Sequence, residues 1–178
     1  MLVVICFSCK KETTETTETA TTNQTITASD HEKSNKAEIP VYNFEEFEPL
    51  LYTDTDTTYI INFWAMWCAP CVKELPYFET FSEKNKDKKV KVILVSLDFP
   101  DTIDSKLIPF LKKKNIQSEV VLLDAPDQNS WINKVNPDWS GSIPYTIVFN
   151  HKNRAHFERS FENLQDLENV IAETINNE

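Results

Sequence analysis

The chain is almost free of glycine: Gly141 is the single one in 178 residues. A Walker-type phosphate loop and a dinucleotide fingerprint each need several glycines at fixed spacing, so nucleotide binding by either route is excluded. Arginine is nearly as scarce, with Arg154 and Arg159 alone. A formal net charge of −10 adds to the case against nucleic-acid partners, which are held by clustered cations that displace phosphate counterions. Long apolar runs are missing as well, and no stretch reaches the roughly 18 residues that a membrane-spanning helix needs. Cysteine occurs four times, as Cys6, Cys9, Cys68 and Cys71. A disulfide scaffold would scatter its cysteines through the folded part. Here two lie near the N-terminus and the other two are three residues apart, which is the spacing of a site.

What is present divides into three parts. Residues 1–8, Met-Leu-Val-Val-Ile-Cys-Phe-Ser, are apolar and precede Cys9-Lys10-Lys11. They resemble the end of a bacterial lipoprotein signal peptide, truncated and without its basic opening segment. That resemblance implies cleavage before Cys9, acyl chains on the new N-terminus, and a place in the cell envelope, on the periplasmic or outer side. Residues 9–38 are low in complexity, and nine of the fifteen residues from 13 to 27 are threonine. Such a segment buries too little apolar surface to offset its ordering entropy and is expected to stay disordered. As a tether it would have a root-mean-square reach of roughly 30 Å. Residues 39–178 carry the apolar patterning of one folded domain.

Within that domain Asn43 is a candidate N-cap for a short helix through Phe44, Phe47, Leu50 and Leu51, with Pro49 bending or breaking it. Residues 59–64 are β-rich and nearly all apolar, the pattern of a central strand covered on both faces. A helix over 69–83 follows, with Val72, Leu75, Phe78 and Phe81 on one stripe and a kink at Pro76. Residues 90–97 form a second buried strand, 103–115 a helix facing inward through Leu107, Phe110 and Leu111, and 119–123 a third strand. A hairpin over 145–149 and 154–161 turns at 150–153. The last helix starts at Asn163 and carries Leu164, Leu167, Ile171 and Ile175. Alternation of strands and helices implies a parallel core, and the hairpin adds an antiparallel edge.

The chemistry is concentrated in Trp67-Cys68-Ala69-Pro70-Cys71, just after a buried strand and opening a helix. Disulfide exchange needs a thiolate, and an ordinary cysteine is mostly protonated at neutral pH. The free N–H groups and dipole of a helix N-terminus stabilise an anion; each tenfold gain in acidity requires about 1.4 kcal/mol. Three-residue spacing places the second sulfur one helical turn on, on the same face. Cys68 is therefore the expected nucleophile and Cys71 the resolving thiol, with Pro70 in the first turn where its missing N–H is harmless. A purely structural disulfide, or half of a zinc site completed by His151 and His156, are the other readings of the pair.

The segment from Asn62 through Phe63, Trp64, Ala65, Met66 and the dithiol to Val72-Lys73-Glu74-Leu75-Pro76 resembles the active-site region of TlpA/ResA-like thiol–disulfide oxidoreductases. The resemblance implies a thioredoxin-like fold: a central mixed β-sheet flanked by helices, with an extra strand–helix unit between the CxxC helix and a cis-proline loop. Ser142-Ile143-Pro144-Tyr145-Thr146 matches that loop, with Ile143 offering its backbone to the substrate chain and Pro144 shaping the groove. Trp67, Ala69 and Pro70 complete the implied substrate contacts. Asn62 stands where ordinary thioredoxins carry a buried aspartate. Glu74 matches a glutamate beneath the family's cysteines that would accept or relay the resolving thiol's proton; a solvated surface glutamate is the alternative. Trp131 and Trp139 read as core, with a partner groove as the alternative.

The family implies no cofactor beyond the redox-active disulfide. It implies a disulfide-bearing client protein, a membrane thiol reductase as electron donor, and a monomer. Two rivals are weaker. A thiol peroxidase of the peroxiredoxin kind would carry Thr and Pro where Ala65 and Ile61 stand, and a metallochaperone of this fold would use CxxxC with a histidine. Trp67 and Pro70 resemble the reducing branch, whereas strongly oxidising relatives place a histidine inside the pair.

Overall fold

The computed structural model describes residues 39–176. Cys9, the tether and the signal-like segment lie outside the described residues. The sheet has six strands in the order β1-β4-β3-β2-β5-β6. β1 (Val41–Tyr42), β4 (Glu119–Leu123), β3 (Val90–Ser96) and β2 (Thr58–Trp64) run parallel to one another. β5 (Tyr145–Phe149) is antiparallel to β2, and β6 (Arg154–Phe157) is antiparallel to β5. The apolar run of β2 does lie centrally, between β3 and β5, and Tyr59 alone in it escapes full burial.

Period-two alternation along the strands divides the core. Ile60, Trp64, Val92, Leu94, Leu122 and Val148 face helices α2 (Ala69–Lys84) and α5 (Leu164–Asn176). On the opposite face Ile61, Phe63, Ile93, Val95, Ile147 and Phe149 meet the aromatic rings of Phe44, Phe47, Trp131 and Trp139. Trp131 and Trp139 are core: they are 1% and 4% exposed. Each indole N–H reaches a carbonyl, of Ala125 at 2.9 Å and of Ser142 at 2.8 Å, so their burial leaves no donor unpaired.

Helix α1 (Phe44–Phe47) has the expected cap: Asn43 Oδ1 accepts from the Glu46 N–H, and the Glu46 carboxylate accepts from the Asn43 N–H, both at 3.0 Å. Pro49 has no N–H for the α ladder, and the chain tightens into a 3₁₀ turn over Glu48–Tyr52. α2 continues through Pro76 and buries Leu75, Phe78 and Phe81, while Val72 is half-buried.

Several expectations need correction. The helix foreseen over 103–115 opens as a π-helical turn, Ile103–Leu107, and becomes α3 only at Ile108–Lys114. Pro109 near the junction lacks the N–H that a regular ladder would use there. Leu107 is buried, but Phe110 and Leu111 are half-buried. β6 ends at Phe157 instead of running to 161, because the chain leaves the sheet there to reach the active-site helix. On α5 the inner stripe is Leu167, Ile171 and Thr174; Ile175 is exposed. At about 100° per residue, position 174 returns to the azimuth of Leu167, and position 175 lies well off it. β1 and the short helix α4 (Ile132–Val135) have no counterpart in the sequence reading.

Candidate active site

β2 ends at Trp64, and four residues later Cys68 caps α2 in extended conformation (φ −91°, ψ 97°). Cys68 and Cys71 are joined as a disulfide with 5.3 Å between their Cα atoms. The backbone N–H of Cys71 donates to Cys68 Sγ at 3.3 Å, so an amide of the first helical turn already points at the expected nucleophile. Cys71 is fully buried, Cys68 is 6% exposed, and Trp67 beside it is 63% exposed. Ala69 and Pro70 are exposed on the first turn. The expected order of burial therefore holds, although both sulfurs lie deeper than an open surface thiol.

The Ile143–Pro144 peptide bond is cis, and the loop faces the dithiol. Cys68 Sγ lies 3.7 Å from the Ile143 carbonyl oxygen. In the disulfide this is a contact; once Cys68 is reduced, its S–H has an acceptor there. Gly141 explains the chain's one glycine: it sits in this loop at φ +90°, and a Cβ added to it would meet Ile132 Cδ1 at 3.0 Å. The Glu158 carboxylate steadies the same loop by accepting from the Ser140 N–H at 3.2 Å and the Ser142 N–H at 3.3 Å.

Glu74 is not a surface residue. Its side chain is wholly buried one turn beyond Cys71. Oε1 accepts from Asn62 Nδ2 at 3.1 Å, and Oε2 accepts from the Phe161 N–H at 2.7 Å and Ser160 Oγ at 3.0 Å. Burial pushes its carboxyl up to about 7, against the pull of those three donors and of the Arg159 charge. The neutral Asn62 now has a physical reason. Its amide donates to Glu74 and, at 3.0 Å, to Thr146 Oγ1, whereas an aspartate there would set a second carboxylate against the first. The segment that supplies Ser160 and Phe161 is fastened by Arg159, whose guanidinium pairs both carboxylate oxygens of Asp166 at 2.7 Å.

The sequence reading missed four supporting residues: Ser160, Phe161, Glu158 and Asp98. Asp98, 5% exposed, follows β3 and accepts from the Met66 N–H at 3.1 Å and from Ser96 Oγ at 2.9 Å. It thus braces the loop that delivers Cys68, and its burial raises its carboxyl above the ordinary value. No local pattern marks these residues: the partners that tie Ser160, Phe161 and Asp98 to the active-site helix and the loop before it lie 32 to 90 positions away. His156, offered above as a metal ligand, is engaged elsewhere: its Nδ1 is 2.8 Å from the Tyr145 hydroxyl. Among the described residues no three His, Cys, Asp or Glu side chains form a metal-binding group.

Comparison with known proteins agrees with this geometry. The model of the AhpC/TSA family matches residues 45–156. Thiol-disulfide oxidoreductase ResA of Oceanobacillus iheyensis is 39% identical over 49 residues, 28% of this chain and 26% of that protein. The sporulation thiol-disulfide oxidoreductase A of Bacillus subtilis is 33% identical over 63 residues, 35% of this chain and 38% of that protein. The matched stretches thus span well under half of either relative. The crystal structure of a DsbF homologue from Corynebacterium diphtheriae superposes with a TM-score of 0.54 at 26% identity, covering 69% of this chain and 75% of that one. The six-stranded mixed sheet and the placement of the dithiol are thioredoxin-like, and the chain belongs to the AhpC/TSA family.

Proposed function

We propose that this chain is a thiol–disulfide oxidoreductase that reduces disulfides of client proteins outside the cytoplasm, tethered to a membrane through lipid on Cys9. The observation that carries the reading is the dithiol itself: Cys68 and Cys71 bridged across the first turn of α2, with a backbone amide on Cys68 Sγ and the Ile143–Pro144 loop against it.

In the reduced protein the Cys68 thiolate attacks one sulfur of the client disulfide. A Cys68–client bond forms, and the displaced client thiolate takes up a proton. Cys71 then gives its proton to the Glu74 carboxylate, and its thiolate attacks Cys68 Sγ. The second client thiolate leaves, and the Cys68–Cys71 bond remains. Two electrons have passed to the client, and a membrane dithiol reductase returns them by the same exchange in reverse. Glu74 suits the proton step because a carboxyl near 7 is divided between its two forms at neutral pH. Trp67, Ala69, Pro70, Ile143 and Pro144 form the surface on which the client chain lies. The exchange as proposed uses no cofactor other than the redox-active Cys68–Cys71 pair.

Direction is tested by the midpoint potential of the Cys68–Cys71 pair in glutathione buffers. With proline inside the pair and no histidine there to stabilise the reduced thiolate, the value falls well below the about −120 mV of a strong protein oxidant. A value near that figure would reverse the assignment. For the anchor, Cys9→Ser in the producing cell moves the protein from the membrane fraction to the soluble one; retention on membranes would remove lipidation from the proposal.

A further inference from the structure

Among the described residues the two most exposed large apolar side chains are Phe99, at 67%, and Trp67, at 63%. They do not lie at random. Asp98 and Met66 are joined by hydrogen bonds of 3.1 and 3.2 Å from the Met66 N–H to the Asp98 carboxylate, and the two aromatic residues are the next along each chain. Both loops leave the carboxyl ends of adjacent parallel strands, β3 and β2. Exposed rings usually sit on yielding loops, but the backbone of Phe99 is pinned from both sides. Its carbonyl accepts from the Thr102 N–H at 2.9 Å and from Thr102 Oγ1 at 2.8 Å, and the Asp98 N–H donates to Ser96 Oγ at 3.2 Å. A ring held out of the core on a rigid backbone contributes nothing to folding that would repay its exposure. It is, however, already organised to receive a partner, at little further entropic cost.

We propose that Phe99 selects clients: together with Trp67 it forms an aromatic platform that takes a large apolar residue next to the client's cysteine. The occupant follows from the chemistry of Cys68. Trp67 is its neighbour in the chain, and Phe99 follows Asp98, which is bonded to the residue before Trp67, so the residue flanking a client cysteine held at Cys68 is the part of the client placed to meet the two rings. The inference rests on the oxidoreductase reading above and names the substrate feature that reading leaves open. Glutathione disulfide carries no apolar side chain, so Phe99 favours protein clients with an apolar residue beside the cystine over the small-molecule pool.

The test uses the purified, reduced protein and two synthetic disulfide-bridged peptides that differ only in the residue after one cysteine, Phe or Ser. Second-order rate constants are measured for each with the natural protein and with Phe99→Ser, a change at an exposed position that removes no core contact. The natural protein reduces the Phe peptide about tenfold faster, the factor supplied by burying roughly 50 Å² of apolar surface. In Phe99→Ser that preference falls to about threefold or less, the part due to Trp67. A preference that is absent in the natural protein, or unchanged in Phe99→Ser, overturns the role of Phe99 while leaving the oxidoreductase intact. Reduction of neither peptide by the natural protein overturns the oxidoreductase reading itself, and this proposal with it.

Discussion

In Cys71→Ser the exchange stops half-way: client proteins accumulate on Cys68 as mixed disulfides, and turnover of a disulfide substrate falls at least a thousandfold. The size of the effect follows from geometry. Cys71 sits one turn from Cys68, with 5.3 Å between the Cα atoms, so the resolving step is intramolecular. Intramolecular thiols at such a distance act with effective concentrations on the order of 10⁵ M or more, which no external thiol at millimolar concentration replaces. Serine is close in volume to cysteine, so the fully buried position of Cys71 tolerates it. Non-reducing electrophoresis reads the adducts, and dithiothreitol dissolves them. Cys68→Ser forms none, because the remaining sulfur is covered. If Cys68→Ser trapped clients as well as Cys71→Ser does, the assignment of nucleophile and resolving thiol would be reversed.

The second large effect concerns Glu74 and pH. Its carboxyl is raised by burial from an ordinary 4.5 to about 7, so the folded state binds this proton more tightly than the unfolded chain does. The sign follows from linkage: the folded protein is favoured while Glu74 is protonated in both states, and stability drains away as pH climbs from about 4.5 to about 7. Two and a half pH units of difference correspond to about 3 kcal/mol, lost in full above pH 7. The oxidised protein is the one to use, since Cys68 and Cys71 do not titrate in the disulfide. Urea unfolding at intervals from pH 4 to pH 8 should show Glu74→Gln gaining on the natural protein as pH rises, by roughly 3 kcal/mol over the range. Comparing the two proteins matters because His156, whose half-buried ring is pushed below its usual value by desolvation, contributes with the opposite sign and cancels in the difference. Parallel curves for the two proteins would mean that Glu74 stays charged in the core. The same carboxyl should set the pH at which mixed disulfides resolve, with Glu74→Gln slowing resolution and leaving the initial attack by Cys68 intact.

The fold and the dithiol were legible in the sequence for one reason: both are recorded locally. Residues 59–64 and 90–97 are mostly apolar on both faces, the pattern of a strand inside a covered sheet, and the CxxC pair spans the first turn of one helix. Asn43 with Glu46, and the hairpin turn at 150–153, are equally short-range. Where regular periodicity was the guide it failed at its edges. The helix before Asn115 opens with a π-helical turn, and Thr174 took the inner position that Ile175 had been expected to fill, because a hydrophobicity pattern does not know the final azimuth.

By itself, then, the sequence determined which residues carry sulfur chemistry, that they open a helix, and that the helix follows a buried strand. Tertiary structure alone decided the surroundings of that pair. It brought Ser160 and Phe161 across 86 and 87 positions to Glu74, and Asp98 across 32 positions to the loop before Cys68. The difference is physical. A helix cap or a strand draws its energy from neighbours in the chain, whereas the charge state of a buried carboxyl and the poise of an exposed ring depend on whichever distant backbone groups the sheet order delivers.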